Sequence, residues 1–320
     1  MKLLVTRRMT SRAEAALAEA FDATFRDSTV PLTEAEAVAA LAGHDAILPT
    51  LGDGFTAGAF AAAQENGGLR TRLLANFGAG FNHIDVAAAR AAGVVVTNTP
   101  EVVTDATADI ALTLILMTAR RAGEGERLVR AGTWTGWHPT QMLGMHVTGR
   151  RLGIVGMGRI GQAIARRGHL GFRMEVGFHN RSTVGGLDFP ARQMPLADLL
   201  GWADIVVLAV PGGAGTRHLI GAEALAAMRP HAILVNIARG DVVDEAALIA
   251  ALEAGRIAGA GLDVYEREPV VPAALTARED VVLLPHLGTA ADDVRTDMAL
   301  RALANLTAFF RGEAPPDRVA

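Results

Sequence analysis

The feature that most constrains the fold is an alternation of short β-rich runs with Ala-rich segments of helical pattern. Such alternation is typical of βα units, in which parallel strands form a sheet that carries helices on both faces. The strand candidates occur in two series. The first comprises KLLVT, ATFRD, DAILPT, RTRLLAN and GVVVTN, and the second comprises RLGIVG, MEVGFHN, DIVVLAV, AILVNIA, GAGLDV and VVLLPH. The pattern therefore predicts an α/β protein with two doubly wound parallel sheets.

The chain is expected to cross between the two sheets twice. Residues 97–132, TNTPEVVTDATADIALTLILMTARRAGEGERLVRAG, begin with a Pro break and continue as one long helical pattern. The closing segment ADDVRTDMALRALANLTAFFRG has the pattern of a helix that returns to the first sheet. We therefore predict one domain from residues 1–98 plus 287–320 and a second from residues 99–286, both Rossmann-like or flavodoxin-like. Within the first, Thr33 and Glu36 have the spacing of a capping box.

Composition excludes several classes of function. There is no cysteine and Lys2 is the only lysine, which excludes disulfides, thiol catalysis, a phosphate-loop lysine and an interior Schiff base. No serine lies in G-x-S-x-G, and the histidines show no metal-binding spacing, so no metal site is predicted. A formal net charge of -4 gives no reason to expect nucleic acid or a membrane surface as partner. The apolar run at residues 110–119 is too short to span a bilayer, and we expect a soluble protein of the cytoplasm.

The segment RLGIVGMGRIGQAIAR contains the spacing G-x-G-x-x-G between an apolar strand candidate and a helical pattern. In that context Gly156 permits a tight turn, Gly158 lets a pyrophosphate approach the backbone, and Gly161 allows close helix–strand packing. Arg159 and Ile160 would be the first residues of the following helix, whose backbone amides would donate hydrogen bonds to the pyrophosphate. The alternative is an ordinary glycine turn, but the flanking strand and helix favour a dinucleotide site.

The segment EVGFHNRS, residues 175–182, bears on which coenzyme is used. Proteins that bind NAD place an acidic residue at this strand end, where it binds the ribose 2′-hydroxyl. Here Asn180 stands nineteen residues after Gly161, and no carboxylate is present. Arg181 could pair with a 2′-phosphate, to which Asn180 and Ser182 could donate hydrogen bonds. The segment predicts that NADP(H) is preferred and that NAD(H) can also be used; the alternative is an Arg181 that points into solvent.

Three further strand candidates end in side chains suited to acid–base chemistry. These are VNIARGDVVDE with Arg239, GAGLDVYEREP with Asp263 and Glu268, and LLPHLGTA with His286. Because the carboxyl ends of parallel strands share one edge of a sheet, the Arg, Glu and His should converge. Arginine can hold a carboxylate through two parallel hydrogen bonds. A carboxylate beside a histidine favours the imidazolium, which can give a proton to a carbonyl oxygen. Each residue alone could be structural, but together with the glycine motif they favour a catalytic site.

The motifs together carry a family resemblance. NFGAGFNHID, GIVGMGRIGQAIA, LVNIARGDVVDEAAL, GAGLDVYEREP and LLPHLGTA resemble, in order and spacing, the D-isomer-specific 2-hydroxyacid dehydrogenases over essentially the whole chain. GTWTGWHP, residues 132–139, is similar to a segment of the glyoxylate/hydroxypyruvate reductase branch. The resemblance implies an NAD(P)H-dependent reductase of small 2-oxo acids. It also implies that residues 1–98 plus 287–320 form the substrate-binding domain, that residues 99–286 form the dinucleotide-binding domain, and that a homodimer forms through the dinucleotide-binding domains. Another dehydrogenase of the family, of the 2-ketogluconate or D-lactate type, and a dinucleotide-sensing corepressor-like protein are the alternatives.

The resemblance also implies roles for individual residues. Arg239 would bind the 2-oxo acid, His286 would donate the proton, and Glu268 would support His286. Further substrate contacts would come from Leu51, the backbone at Gly78, Ala79 and Gly80, Gly288, and Trp137 of the partner subunit. Further coenzyme contacts would come from Val210, Pro211, Ile237, Ala238 and, at the nicotinamide carboxamide, Asp263.

Overall fold

The computed structural model describes residues 1–65 and 68–319, which fold as two units. The first unit combines Met1–Val103 with Thr289–Ala320, and the second comprises Thr104–Gly288. None of the helices in these described ranges has the length and apolar character needed to cross a membrane.

In its described residues, the first unit is built on five parallel strands. These are β1 (Lys2–Val5), β2 (Asp22–Phe25), β3 (Ala46–Leu48), β4 (Leu73–Ala75) and β5 (Val95–Thr97), in the order β2-β1-β3-β4-β5. The sheet is covered by α1 (Ser11–Ala20), α2 (Glu34–Gly43), α3 (Ala57–Glu65), α4 (Val86–Ala91) and the last helix of the chain, α12 (Asp292–Phe310). One face of the sheet packs its Leu and Val side chains against Leu17 of α1 and Leu306 of α12, both fully buried. The predicted capping box of α2 is confirmed, since Thr33 and Glu36 exchange side-chain and backbone hydrogen bonds.

The second unit is built on seven parallel strands. These are β6 (Arg151–Val155), β7 (Glu175–His179), β8 (Ala191–Gln193), β9 (Ile205–Leu208), β10 (Ile233–Asn236), β11 (Gly259–Leu262) and β12 (Val281–Leu283), in the order β12-β11-β10-β9-β6-β7-β8. Its helices are α5 (Thr104–Ala119), α6 (Ala122–Arg130), α7 (Arg159–Phe172), α8 (Leu196–Trp202), α9 (Ala222–Ala227), α10 (Glu245–Glu253) and α11 (Ala273–Thr276), with a 3-10 turn at Gly240–Val242. Hydrophobic clusters cover both faces of the sheet.

The prediction of two doubly wound parallel sheets is confirmed. Both strand orders reverse within the sheet, between β1 and β3 in the first unit and between β6 and β9 in the second. Ligands of open α/β sheets bind at the carboxyl ends of the strands beside such a reversal. In the second unit, a ligand is therefore expected at the loops after β6, β7 and β9 to β12.

The prediction of one long helix within residues 97–132 is wrong. The helical pattern is divided into α5 and α6, and Arg121 between them has a left-handed φ of 53°. The carbonyl of Ala119, which a continuing helix would use, accepts a hydrogen bond from Met145 N (2.7 Å). A Cβ on the preceding Gly144 would overlap that carbonyl oxygen. A distant segment of the chain therefore ends α5.

The chain passes between the units after Val103 and after Gly288, whereas the sequence placed the crossings at about residues 98 and 287. Residues 98 and 99 remain with the first unit, since Thr99 N donates to the Gly78 carbonyl (3.0 Å). Gly288 remains with the second unit because its amide donates to the Asp263 carboxylate (2.8 Å). The boundaries between the two units are therefore set by hydrogen bonds near the crossings and not by the ends of the strands.

Candidate active site

The glycine motif forms the turn between β6 and α7, beside the point where the strand order reverses. Gly156 has a φ of 100°, which favours glycine, and a Cβ there would lie 2.7 Å from the Ala209 carbonyl oxygen. A Cβ on Gly161 would overlap the Gly156 carbonyl oxygen, so only glycine allows this packing of helix and turn. A Cβ on Gly158 would meet no protein atom within 4 Å. The turn is thus closed on its protein side and open at Gly158.

The segment after β7 is a turn held by side-chain amides. Asn180 Nδ2 donates to the carbonyl (3.0 Å) and hydroxyl (3.1 Å) oxygens of Ser182. Gln193 Nε2 donates to the carbonyls of Asn180 (3.2 Å) and Ser182 (3.0 Å), and its Oε1 accepts from Val184 N (3.1 Å). The amide hydrogens of Asn180, predicted to contact a phosphate, are therefore engaged within the turn. Arg181 is exposed and forms no ion pair with any described residue.

Gln193 is a residue of this site that the sequence did not reveal. It lies on β8, an edge strand of three residues that was not predicted. The strand carries no hydrophobic alternation, and its residues are half-buried or exposed. Its spacing from Asn180 offers no recognisable pattern, so only the folded turn identifies it.

Arg239 follows β10 on a fixed backbone. Asn236 at the end of that strand is buried; its Oδ1 accepts from Ala238 N (3.0 Å) and its Nδ2 donates to the Arg239 carbonyl (2.9 Å). The Arg239 side chain donates from Nη1 to the Ala238 carbonyl (2.7 Å). Burial lowers the pKa of Arg239, and the carboxylate of Glu268 opposes that shift. The guanidinium thus lies within electrostatic reach of the predicted acid–base pair.

The loops after β10 and β11 touch each other beside Arg239. A Cβ on Gly240 would overlap the backbone carbonyl of Tyr265, so glycine allows the two loops to meet. The amide of Tyr265 in turn donates to Glu268 Oε1 (3.1 Å). The contact ties the arginine loop to the loop that carries the glutamate.

Glu268 and His286 form a hydrogen-bonded pair, with 2.8 Å between Glu268 Oε2 and His286 Nδ1. Burial alone would raise the pKa of Glu268, but the hydrogen bond and charge of His286, the Tyr265 amide and the charge of Arg239 lower it. The carboxylate is therefore ionised at neutral pH and favours a proton on Nδ1, which leaves Nε2 for a ligand. The side chains of His286 and Glu268 are 31% and 30% exposed, respectively, so the pair is accessible.

Asp263 shapes the turn that carries the histidine. It is almost fully buried, its backbone carbonyl accepts from His286 N (2.9 Å), and its carboxylate accepts from Leu287 N (2.6 Å) and Gly288 N (2.8 Å). These bonds hold His286 at a φ of 55°, which is uncommon for a residue with a side chain. Burial raises the pKa of Asp263, while the two amides and His286 oppose that shift. The carboxylate for which a nicotinamide contact was predicted thus already holds the histidine turn.

The remaining predicted coenzyme residues lie on the same edge of the second sheet. Val210 and Pro211 follow β9, and a Cβ on Gly156 would lie 2.8 Å from Val210 Cγ1. Ile237 and Ala238 follow β10 and are buried. The loops after β6, β9 and β10 thus bring these residues towards the glycine turn.

The predicted anion site of the first unit lies in the loop after β4. The amide of Gly78 donates to Thr99 Oγ1 (3.1 Å), so it is not available to a ligand. Among the described residues, nothing accepts a hydrogen bond from the amides of Ala79 and Gly80. The prediction of an anion site at Gly78–Gly80 therefore narrows to Ala79 and Gly80.

Two predicted substrate contacts are exposed. Leu51 follows β3 in the first unit, is 40% exposed, and accepts a hydrogen bond from Arg7 at its carbonyl (2.9 Å). Trp137 belongs to the second unit and is 79% exposed.

The second unit has the features required by a nicotinamide dinucleotide. Gly158 is open where a pyrophosphate would approach, and α7, whose fourteen residues follow it, has no acidic residue in its first turn. The amides of that turn and the helix dipole favour an anion there. Arg239, Glu268 and His286 follow the adjacent strands β10, β11 and β12. Fold and site together define a nicotinamide dinucleotide-dependent oxidoreductase.

Comparison with known proteins narrows this class. The family model described as "D-isomer specific 2-hydroxyacid dehydrogenase, NAD binding domain" matches residues 112–288. The glyoxylate reductase of Thermococcus onnurineus is 43% identical over 99% of this chain and 95% of that protein. The glyoxylate reductase of Pyrococcus horikoshii is 48% identical over 78% of this chain and 76% of that protein.

A solved structure agrees with these relatives. It is that of the NADPH-dependent glyoxylate/hydroxypyruvate reductase from Sinorhizobium meliloti, in complex with NADP and malonate. It is 35% identical, covers 100% of this chain and 96% of its own, and has a TM-score of 0.88. The chain belongs to the D-isomer specific 2-hydroxyacid dehydrogenase family, as its sequence motifs indicated.

Proposed function

We propose that this protein reduces small 2-oxo acids, with glyoxylate and hydroxypyruvate as the best substrates and NADPH as the preferred reductant. The observation that carries the proposal is the hydrogen-bonded His286–Glu268 pair, which lies with Arg239 at the ends of three adjacent strands. The relatives named glyoxylate reductase support the substrate class. Residues 104–288 would be the coenzyme-binding unit, and the first unit would contribute to substrate binding.

Arg239, His286 and Glu268 would have different roles in the reduction. When bound, a reduced nicotinamide supplies a hydride to the carbonyl carbon of the substrate. Arg239 holds the acid through its planar guanidinium and polarises the carbonyl group. His286 donates the Nε2 proton to the carbonyl oxygen as that oxygen becomes a hydroxyl, and Glu268 stabilises the imidazolium through Nδ1. Because the pair is partly exposed, solvent can restore the proton.

We expect unphosphorylated acids to be preferred. The catalytic set supplies one guanidinium, that of Arg239, and contains no second arginine or lysine that could hold a phosphate. Glyoxylate and hydroxypyruvate should therefore be reduced faster than 3-phosphohydroxypyruvate. Asp263 would orient the coenzyme while it holds the His286 turn.

The preference for NADPH rests on the turn after β7. The strand ends at His179 without a carboxylate, and Glu175 stands at its opposite end. Arg181 is exposed and unpaired in the described structure, and Gln193 fixes the backbone from which it projects. A charge-assisted hydrogen bond contributes roughly 1.5–3 kcal/mol, so kcat/KM should be at least tenfold higher with NADPH than with NADH.

The test is a panel of glyoxylate, hydroxypyruvate, pyruvate, 2-ketogluconate and 3-phosphohydroxypyruvate, each with NADPH and with NADH. The highest kcat/KM is expected for glyoxylate or hydroxypyruvate with NADPH. Preference for another acid would move the protein to a different branch of the family, and no turnover of any acid would favour a dinucleotide-sensing role. Faster reduction of 3-phosphohydroxypyruvate than of hydroxypyruvate would contradict the substrate proposal.

The coenzyme proposal has a separate test. Asn180→Asp combined with Arg181→Ala should reverse the preference in favour of NADH. Arg311→Ala, which removes an exposed arginine of the first unit, is the matched control and should leave the preference unchanged. Equal efficiency with both coenzymes in the unmodified protein would refute the role of Arg181.

We also propose a homodimer formed through the second unit. Five large hydrophobic side chains between residues 116 and 143 are exposed, namely Leu116, Val129, Trp134, Trp137 and Leu143. Exposed apolar side chains concentrated in this way mark association surfaces. Sedimentation analysis should give a dimer, and Trp137→Ala should weaken it. A monomer at micromolar concentration would contradict the proposal.

A further inference from the structure

The turn at Gly78–Gly80 in the first unit is held by its carbonyl oxygens. Asn76 Nδ2 donates to the carbonyls of Gly78 and Gly80, at 3.0 Å each. Asn98 Nδ2 donates to the carbonyl of Ala79 at 2.8 Å. Every carbonyl of this glycine-rich turn thus has a side-chain amide as its donor.

This arrangement fixes the direction of the turn's amides. In a planar trans peptide the N–H points opposite to the carbonyl of the preceding residue. The amide of Ala79 therefore points away from Asn76, and the amide of Gly80 points away from Asn98. Asn76 and Asn98 follow the neighbouring strands β4 and β5, so both stand at the same edge of the sheet. The two amides consequently face away from that edge, and nothing in the described structure accepts from them.

A third side chain completes the arrangement. Thr99 Oγ1 accepts from the amide of Gly78 (3.1 Å), and Thr99 N donates back to the Gly78 carbonyl (3.0 Å). Thr99 and Asn76 are fully buried, and the Oδ1 of Asn76 has no donor in the described structure. A buried polar group is costly unless it is hydrogen-bonded. The hydrogen-bonding groups that these two buried side chains use, Asn76 Nδ2 and Thr99 Oγ1, therefore bind the backbone of the turn.

We propose that Asn76, Asn98 and Thr99 are positioning residues that aim the amides of Ala79 and Gly80 at the carboxylate of the 2-oxo acid. The inference rests on the proposed function, because it assigns the carboxylate to a substrate of that reaction. Successive backbone amides form a concave donor site that suits an anion. The three side chains do not touch the substrate; they set the geometry of the groups that do.

The experiment compares variants that remove or restore individual hydrogen bonds of the turn. Thr99→Val removes the hydroxyl that accepts from Gly78, and Thr99→Ser restores it. Asn98→Ala removes the donor to Ala79 at a half-buried position, where folding is less at risk. Asn82→Ala changes an exposed asparagine of the same loop and is the matched control.

Two constants are measured for each variant: the KM for glyoxylate, and the dissociation constant of oxalate, an unreactive carboxylate, by calorimetry with NADPH present. In Thr99→Val and Asn98→Ala both should rise about tenfold or more, the effect of misdirecting one hydrogen bond to a charged group. kcat should change less than KM. NADPH affinity should be unchanged, because the glycine motif between β6 and α7, where the coenzyme is proposed to bind, lies in the second unit. Thr99→Ser should recover most of the affinity, and Asn82→Ala should behave as the unmodified protein.

Several results would overturn the inference. One is an unchanged KM and oxalate affinity in Thr99→Val and Asn98→Ala. Another is a parallel loss of kcat, NADPH affinity and thermal stability, which would indicate general damage to the fold. If the unmodified protein reduces no 2-oxo acid, the proposed function fails; oxalate titration of the same variants still decides whether these residues direct the amides.

Discussion

Replacement of Gly212 by alanine should impair catalysis by displacing Arg239. Gly212 lies in the loop after β9, where a Cβ would be 2.7 Å from Arg239 Cγ and 3.1 Å from its Cβ. Carbon atoms pack at about 3.5–4.0 Å, so the arginine side chain must move by about 1 Å. A displacement of about 1 Å in a reacting site costs roughly a hundredfold in rate. We therefore expect kcat/KM for glyoxylate to fall about a hundredfold in Gly212→Ala.

The stability cost should be about 1–3 kcal/mol, as for other overpacked sites, because the overlapped Cβ and Cγ lie at the base of the Arg239 side chain and are held by its backbone. Gly212 does not have a positive φ, so alanine adds no backbone strain of its own. Gly215→Ala is the matched control, because Gly215 lies in the same loop and a Cβ on it would meet no atom within 4 Å. Steady-state kinetics and thermal unfolding should be measured for both. Near-normal kcat/KM in Gly212→Ala would show that Arg239 does not act from its observed position. An equal loss in Gly215→Ala would assign the effect to the loop.

Four further substitutions test other parts of the structure. His286→Ala should lower kcat by roughly two to four orders of magnitude, and near-normal turnover would exclude His286 as the acid. Arg239→Lys should raise KM for the 2-oxo acid strongly, because an ammonium cannot reproduce the planar fork; a KM within about threefold would contradict this. Glu268→Gln replaces the carboxylate that lies 2.8 Å from His286 Nδ1 with a neutral amide, so kcat should fall while KM changes less; an unchanged kcat would contradict a supporting role for Glu268. The hydrogen bond from Arg70 lowers the pKa of Asp45 from 3.8 to about 2. That stabilisation exists above about pH 4 and is lost as pH falls towards 2, so Asp45→Asn should lower Tm at pH 7 and the difference should narrow over that range.

The extent to which the fold could be predicted follows from where its strands lie. Runs such as IVVL and ILVN are buried on both faces of a parallel sheet, and their continuous hydrophobicity identifies them. The missed strand β8 lies at the sheet edge, pairs only with β7, and has the sequence Ala-Arg-Gln. The missed break between α5 and α6 arises because Met145 binds the Ala119 carbonyl. No local signal in Arg120–Arg121 announces a contact made more than twenty residues away.

The same distinction applies to the candidate site. The side chains of Arg239, Glu268 and His286 could be predicted to converge because each follows a strand of one parallel sheet, and the structure joins Glu268 to His286 directly. The roles of Thr99 and Gln193 depend on side-chain bonds to backbone groups far away in the chain. Such bonds leave no periodic or compositional pattern in the sequence.

The composition of the first unit from two separate parts of the chain affects how it folds during synthesis. Leu306 and Ala302 of α12 complete a hydrophobic cluster with Leu3, Val5 and Leu73. About two hundred residues separate β5 from α12, and synthesis proceeds at roughly 5–20 residues per second. The first sheet therefore emerges from the ribosome on the order of 10–40 s before α12, the last of the helices that cover it. The second unit is continuous in sequence and can bury its own core within that interval, so the unit that is translated first is completed last.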